Sequence, residues 1–176
     1  AGQALLRSGA RAGDTLWVSG RLGDARLALE AFRGTLRLRG EDFDAVRDAM
    51  ERPQPRVALG IALRGLASSA VDLSDGLVGD LGQVLTRSGV GATLDADALP
   101  RSDALRRQDL AWQRRCTLAG GDDYELLFSA PATSADAVRA AAREAGVDVT
   151  PIGTVDAEQG LRLRDADARP IAFDER

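Results

Sequence analysis

Histidine and lysine are both absent from this 176-residue sequence, so arginine supplies all 23 basic side chains. Without histidine, Ser-His-Asp and Cys-His catalysis and histidine-ligated zinc sites are excluded. Without lysine, a Schiff base and the lysine of a Walker-type phosphate loop are excluded as well. Any catalysis must therefore use carboxylates, arginine and a hard metal ion. Arginine still suits phosphate, because its planar guanidinium can bind two oxygens at once.

Cysteine is almost absent too, since Cys116 is the only one in the sequence. An intramolecular disulfide is therefore impossible, and such sparse cysteine usage is typical of a reducing, cytoplasmic compartment. No histidine is present to activate the thiol. We predict that Cys116 is a small core residue rather than a nucleophile.

Long apolar runs and clustered positive charge are also missing. No stretch reaches the roughly 18 apolar residues of a membrane span, and residues 1–13 lack the apolar core of a signal peptide. The net charge of −4 and the aromatic content of 4% argue against nucleic-acid binding, which needs clustered basic side chains and stacking aromatics. We predict neither a membrane nor a nucleic acid as a partner.

The chain does contain enough apolar sequence, 44% of its residues, for one domain spanning residues 1–176. Strand-like and helix-like patterns alternate, and strand-like runs near the end favour a mixed sheet over a purely parallel one. The predicted strands are residues 15–19, 70–72, 91–94, 126–128, 149–155, 161–164 and 170–173. The predicted helices are residues 25–32, 43–50, 56–66, 77–88 and 134–145. Val57, Ile61 and either Leu66 or Leu63 are expected to face the core.

An acidic motif follows the second predicted strand, at residues 70–77. Asp72 and Asp75 are three residues apart across the strand end, so both carboxylates can point to one side of the loop. One or two carboxylates together with substrate phosphates are a usual ligand set for Mg²⁺. Alternatively, Ser74 or Asp75 caps the helix that begins near residue 77. Asp80 is expected to face away from the apolar stripe of that helix.

A second motif, at residues 120–128, places two glycines and an acidic cluster just before a strand. Asp122 follows the glycines, whose permissive backbone lets a loop approach a ligand closely. The alternation of Tyr124, Leu126 and Phe128 fixes that loop to a buried strand. Because α/β proteins commonly hold ligands at strand ends, the two motifs together predict a metal and phosphate site.

A Gly-x-x-Gly-Asp turn at residues 20–24 precedes the first predicted helix. Backbone N–H groups at such a turn could bind a phosphate. An ordinary strand-to-helix turn is the alternative that this spacing favours.

The motifs, in their order along the chain, resemble the thiamine-monophosphate kinase family. The segments that carry the resemblance are residues 6–10, 20–24, 71–77 with 80–82, and 120–128. The resemblance implies an α+β fold, a three-layer α/β/α arrangement with a mixed sheet, as in the C-terminal domain of the aminoimidazole ribonucleotide synthetase superfamily. It also implies phosphorylation of thiamine monophosphate to thiamine diphosphate, with ATP as co-substrate and Mg²⁺ as cofactor.

Site residues follow from the same resemblance. It implies that Asp72 and Asp75 are Mg²⁺ ligands, that Ser74 and Arg7 contact ATP, and that Asp122 contacts thiamine monophosphate. Asp122 stands where the family commonly has glutamate. No residue is assigned a covalent catalytic role.

The resemblance covers the C-terminal half of the family, whose N-terminal ATP-binding domain has no counterpart here. A homodimer is expected for the full-length protein, and the isolated chain is expected to be inactive. Two alternatives stay open. One is another superfamily synthetase, which the second motif disfavours, and the other is a non-catalytic phosphate-binding fragment.

Overall fold

A computed structural model of the chain describes residues 2–173, which contain one six-stranded sheet. The strands are β1 (Asp14–Ser19), β2 (Ser69–Asp72), β3 (Gly91–Asp95), β4 (Leu126–Pro131), β5 (Val149–Asp156) and β6 (Gly160–Arg164). Their order across the sheet is β2-β4-β1-β5-β3-β6. All neighbours are antiparallel except β3 and β6, which are parallel. The predicted mixed sheet is confirmed.

Helices surround the sheet. They are α1 (Asp24–Phe32), α2 (Gly40–Glu51), α3 (Val57–Ala62), α4 (Leu77–Ser88), α5 (Asp103–Arg106), α6 (Leu110–Ala119) and α7 (Ala135–Glu144), and a short 3₁₀ turn, Ala132–Ser134, precedes α7. The sequence pattern did not predict α5 and α6. In α6 the buried residues Cys116, Thr117 and Leu118 are consecutive, so no single apolar stripe marks the helix.

Apolar packing divides the molecule into layers. Leu16 and Val18 of β1 pack with α4 on one face of the sheet, whereas Trp17 packs with α3 and α7 on the other face. This alternation follows from the period of two along a strand. A further apolar cluster lies among α1, α2, α5 and α6. The predicted α/β/α layering is confirmed, and β2 lies beside α4.

The predicted helix at residues 56–66 is shorter than expected, and only Leu63 among its predicted core residues is fully buried. Val57 and Ile61 are 64% and 54% exposed, whereas Leu59 and Leu63 are fully buried. Leu59 and Leu63 are four residues apart, and they pack on the Trp17 and Phe128 side of the sheet. Position against the sheet, rather than the apolar pattern alone, selected the buried face.

The predicted strand at residues 170–173 is wrong. Pro170 forms a single bridge with Arg164, and the Ile171 N–H donates to the Leu163 carbonyl at 3.0 Å. Proline cannot donate to a ladder, which limits pairing at this point. Ile171 and Phe173 pack against the apolar cluster beneath α4 instead. Within residues 2–173, no helix is long and apolar enough to cross a membrane.

Candidate functional site

The first acidic loop (residues 72–76) and the second acidic loop (residues 120–125) lie side by side, because the pairing of β2 with β4 continues beyond both strands. Three backbone hydrogen bonds join them. They run from Leu73 N to Glu125 O at 2.8 Å, from Tyr124 N to Leu73 O at 2.9 Å, and from Asp122 N to Ser74 O at 3.0 Å. The two motifs, each of which the sequence places at a strand end, therefore lie next to each other in the fold.

In the first acidic loop, Asp72 and Asp75 are exposed and Ser74 is half-buried. The sequence predicts that Asp80 faces away from the apolar stripe of α4. In the structure Asp80 is only 1% exposed, so it does not reach solvent. Its carboxylate accepts N–H groups of the loop. The donors are Ser74 and Asp75, each at 3.0 Å, and Gly76 at 3.2 Å. Burial is tolerable because a carboxylate with several backbone donors is well satisfied.

Gly76, with φ 119°, immediately precedes α4 and offers no side-chain cap. The carboxylate of Asp80, rather than the side chain of Ser74 or Asp75, accepts the N–H groups at this end. The capping alternative for Ser74 and Asp75 is therefore wrong. Both side chains remain available to a ligand.

In the second acidic loop, Asp122 and Tyr124 point to solvent from a left-handed backbone, with φ of 66° and 50°. The Tyr124 hydroxyl donates to Asp122 Oδ1 at 3.3 Å. The negative charge of Asp122 raises the pKa of Tyr124, and Asp72 and Asp75 add to this effect. The carboxylates of Asp72, Asp75 and Asp122 are therefore all near enough to the Tyr124 hydroxyl to affect its pKa.

Between these exposed residues, Asp123 points inward. The Gly23 N–H donates to both carboxylate oxygens of Asp123, at 3.0 and 2.8 Å. Burial raises the pKa of Asp123 well above its ordinary value. The neighbouring N–H groups of Gly20 and Leu22 donate to the carbonyls of Asp148 and Pro100, each at 2.9 Å. These three N–H groups of the Gly-x-x-Gly-Asp turn are thus occupied, so the turn is an ordinary strand-to-helix connection.

Glu125 also points inward and is 6% exposed. Ser19 Oγ donates to its Oε2 at 2.5 Å, and Arg56 donates through Nε to Oε2 at 2.7 Å and through Nη2 to Oε1 at 2.5 Å. This hydrogen bonding raises the pKa of Arg56. No local pattern in the sequence marks Glu125 or Arg56, because Glu125 is 69 residues from Arg56 and 106 residues from Ser19 along the chain.

The five predicted site residues line two cavities. Ser74, Asp75 and Asp122 line a cavity of about 340 Å³, with Gly121 and part of α1 opposite. Arg7 and Asp72 line another, of about 510 Å³. Arg7 is exposed, and its Nη1 donates to Gln83 Oε1 at 2.8 Å.

The carboxylates near the first acidic loop show whether Asp72 and Asp75 fit Mg²⁺. Within residues 2–173, no three acidic or cysteine side chains come together as a metal cage. Asp72 and Asp75 are nevertheless both exposed carboxylates, three residues apart in the first acidic loop. Two such acids fit Mg²⁺, which usually keeps waters and shares its remaining positions with substrate phosphates.

Cys116 takes no part in the site. Its side chain is fully buried, and burial raises the pKa of its thiol to about 12. The prediction of a core residue is confirmed, because so basic and enclosed a thiol is not a nucleophile near neutral pH.

The sheet topology and the paired acidic loops place the chain in a known class of domain. The family described as "AIR synthase related protein, C-terminal domain" matches residues 11–166, and the chain belongs to this family. Within it, the resemblance to thiamine-monophosphate kinases is confirmed. The chain is 43% identical, over 178 residues, to the thiamine-monophosphate kinase of Salmonella typhimurium, covering 99% of this chain and 54% of that relative.

Solved structures agree. The crystal structure of thiamine-monophosphate kinase from Stenotrophomonas maltophilia K279a superimposes with a TM-score of 0.86 at 46% identity, over 92% of this chain and 53% of that one. The structure of AaThiL complexed with AMPPCP and TMP superimposes with a TM-score of 0.75 at 30% identity, over 94% and 51%. The chain therefore spans about half the length of the relatives that it matches.

Proposed function

We propose that the chain is the C-terminal part of a kinase that transfers the γ-phosphoryl group of ATP to thiamine monophosphate, giving thiamine diphosphate. The observation that carries the proposal is the cavity of about 340 Å³ in which both acidic loops meet, with Ser74 and Asp75 on one side and Asp122 on the other. Similarity to curated thiamine-monophosphate kinases supports the choice of reaction.

Within this proposal, Asp72 and Asp75 hold Mg²⁺, and Ser74 and Arg7 contact ATP. Exposure of both carboxylates and the absence of a competing cap role support the first assignment. The Arg7 guanidinium suits a phosphate, because it is exposed and its hydrogen bond to Gln83 uses only Nη1. Asp122 contacts thiamine monophosphate, whose thiazolium ring is cationic and whose aminopyrimidine donates hydrogen bonds.

Bound Mg²⁺ would neutralise charge on the phosphates. The side chains of this site bind and orient the two substrates, so that an oxygen of the terminal phosphate of thiamine monophosphate attacks the γ-phosphorus and ADP leaves. The resemblance to the kinase family implies direct in-line transfer, with no covalent enzyme intermediate. Positioning and charge neutralisation are the contributions expected of this domain.

The whole protein is also part of the proposal. Because the chain spans about half the length of its relatives, we propose that it works with an N-terminal domain that completes the ATP and metal sites. A homodimeric, cytoplasmic enzyme is the assembly that fits the family resemblance and the single buried cysteine.

The test is paired steady-state kinetics on the complete protein at saturating Mg²⁺. Asp122→Ala should raise the KM for thiamine monophosphate roughly tenfold or more, the worth of one hydrogen bond to a charged group, while the KM for ATP stays nearly unchanged. Asp72→Ala is the matched control and should lack this selectivity. An equal rise of both KM values in Asp122→Ala would contradict the assignment. A complete protein that binds both substrates but forms no thiamine diphosphate would favour the non-catalytic alternative.

A further inference from the structure

We infer that Glu125 is a positioning residue, held by Arg56 and Ser19, that keeps the second acidic loop in the conformation presenting Asp122 to the substrate. The substrate part of this inference rests on the proposed function. The anchoring of the loop does not, because it follows from the contacts of Glu125 alone.

The loop needs an anchor because its backbone is strained. Asp122 and Tyr124 both have positive φ, of 66° and 50°. Left-handed backbone is unfavourable for residues with a Cβ, and it persists only where surrounding contacts fix it. Aspartate visits this region more readily than a bulky aromatic residue, so Tyr124 is the more strained of the two. Asp122 cannot keep its direction if Tyr124 relaxes.

Glu125, the residue after Tyr124, holds this backbone in place through its own contacts. Its buried carboxylate has donors from two remote elements, Ser19 at the end of β1 and Arg56 just before α3. Arg56 binds both oxygens at once, which sets the orientation of the carboxylate as well as its position. A buried carboxylate deprived of such a partner is strongly unfavourable, so it will move toward water and carry the loop with it.

The site leaves Glu125 little other room. Gly20, with φ 59°, lies so close that a Cβ there would be 2.0 Å from Glu125 Oε1. The Glu125 carbonyl accepts the Leu73 N–H at 2.8 Å, so the first acidic loop is joined to the same residue. That loop also has its own anchor in Asp80. Loss of the Glu125 anchor should therefore affect Asp122 before it affects Asp72 and Asp75.

The experiment compares Arg56→Gln with Arg52→Gln in the complete protein. Arg52 and Arg56 both line a third cavity, of about 370 Å³, which Glu125 also lines. Arg52 is exposed and its Nε is 3.5 Å from Asp48, so it is a matched control for loss of charge. Arg56→Gln should raise the KM for thiamine monophosphate roughly fivefold to tenfold, because a small misplacement of a binding group is costly, with the KM for ATP within about twofold. Arg52→Gln should change neither.

Amide hydrogen exchange supplies a readout independent of activity. The N–H groups of Asp122 and Tyr124 are hydrogen-bonded to the first acidic loop, so their exchange should accelerate roughly tenfold in Arg56→Gln and in the isosteric Glu125→Gln. Arg56→Lys, which keeps the charge but not the paired donors, should lie between the parent and Arg56→Gln. It replaces Arg56→Gln in both measurements if that variant does not fold.

Unchanged exchange of both amides in Arg56→Gln and Glu125→Gln would overturn the inference. Faster exchange, with a KM for thiamine monophosphate that responds to Asp122→Ala but not to Arg56→Gln, would also overturn it while leaving the proposed function intact. Faster exchange with neither substitution affecting that KM would support the anchor and refute the substrate role of Asp122.

Discussion

The two acidic loops each contain or adjoin a buried carboxylate, but the carboxylates are satisfied in different ways. Asp80 receives only backbone N–H groups, from residues four to six positions earlier in the chain. Glu125 receives only side-chain donors, from Arg56 and Ser19, which are 69 and 106 residues away. One anchor is local, and the other exists only when three distant segments have assembled.

This difference separates the two loops physically. The anchor of the first loop forms together with the first turn of α4, because the donors and the acceptor belong to one short segment. The anchor of the second loop depends on β1, the start of α3 and β4 at the same time. Substitutions far from the second loop should therefore disturb it, whereas the first loop should respond mainly to changes in its own segment.

The largest effect is expected at Gly20, which makes room for the Glu125 carboxylate. Gly20→Ala should lower the free energy of unfolding by about 4 kcal/mol, roughly 1 from the left-handed backbone and the remainder from displacement of the buried ion pair. Gly89→Ala is the matched control, because Gly89 has φ 70° at the end of α4 and open space around it. It should cost only about 1 kcal/mol.

Urea unfolding of both variants measures the difference. Equal losses in Gly20→Ala and Gly89→Ala would mean that Glu125 moves aside freely, and the contrast between the two anchors would disappear.

A smaller effect is expected at Asp80. Asp80→Ala removes the acceptor for three N–H groups and should cost about 2 kcal/mol, because hydrogen bonds to a charged group are worth more than neutral ones. Asp80→Asn keeps an acceptor oxygen and should lose about half as much. The measurement is the denaturation midpoint at constant m-value. A loss in Asp80→Asn as large as in Asp80→Ala would show that charge, rather than hydrogen-bond acceptance, holds the first loop.

The last effect, the smallest when counted per pH unit, concerns the pH dependence of the second loop. Burial raises the folded-state pKa of Asp123, so the folded protein keeps a proton that the unfolded chain releases near its ordinary pKa of 3.8. The resulting stabilisation is complete below that pH and is lost as the pH rises through the folded-state value. Asp123→Asn should remove this decline, which is at most about 1.4 kcal/mol per pH unit for one proton.

Urea unfolding of the parent and of Asp123→Asn between pH 4 and pH 8 tests this sign. A parent protein whose stability relative to the variant increases with pH would contradict it, and would mean that Asp123 is charged when folded.

Much of the fold followed from local patterns. The strand of Trp17 was predicted from its short apolar run, and the helices of Leu77 and Val138 were predicted because their apolar residues repeat with a helical spacing. The buried face of α3 was not predicted. Val57 and Leu59 are both apolar, and only contact with the sheet distinguishes them. The predicted strand at residues 170–173 failed for a related reason, since strand pairing requires a partner that the segment itself does not contain.

The candidate site divides in the same way. That Asp72, Asp75 and Asp122 lie near strand ends could be predicted, because each of them stands within a few residues of an apolar, strand-like run. The sequence could not predict that the side chains of Asp123 and Glu125 point inward. Asp122 and Asp123 are adjacent and chemically identical, yet one is exposed and the other accepts the Gly23 N–H from inside the molecule.

By itself the sequence determined which chemistry is possible, through the absence of histidine and lysine, and where the acids stand relative to local secondary structure. Only the tertiary structure decided which of those acids are buried and paired. The physical reason is that a carboxylate is buried when its donors outweigh its loss of hydration. The donors of Glu125 come from β1 and from the residue before α3, which approach it only in the folded chain.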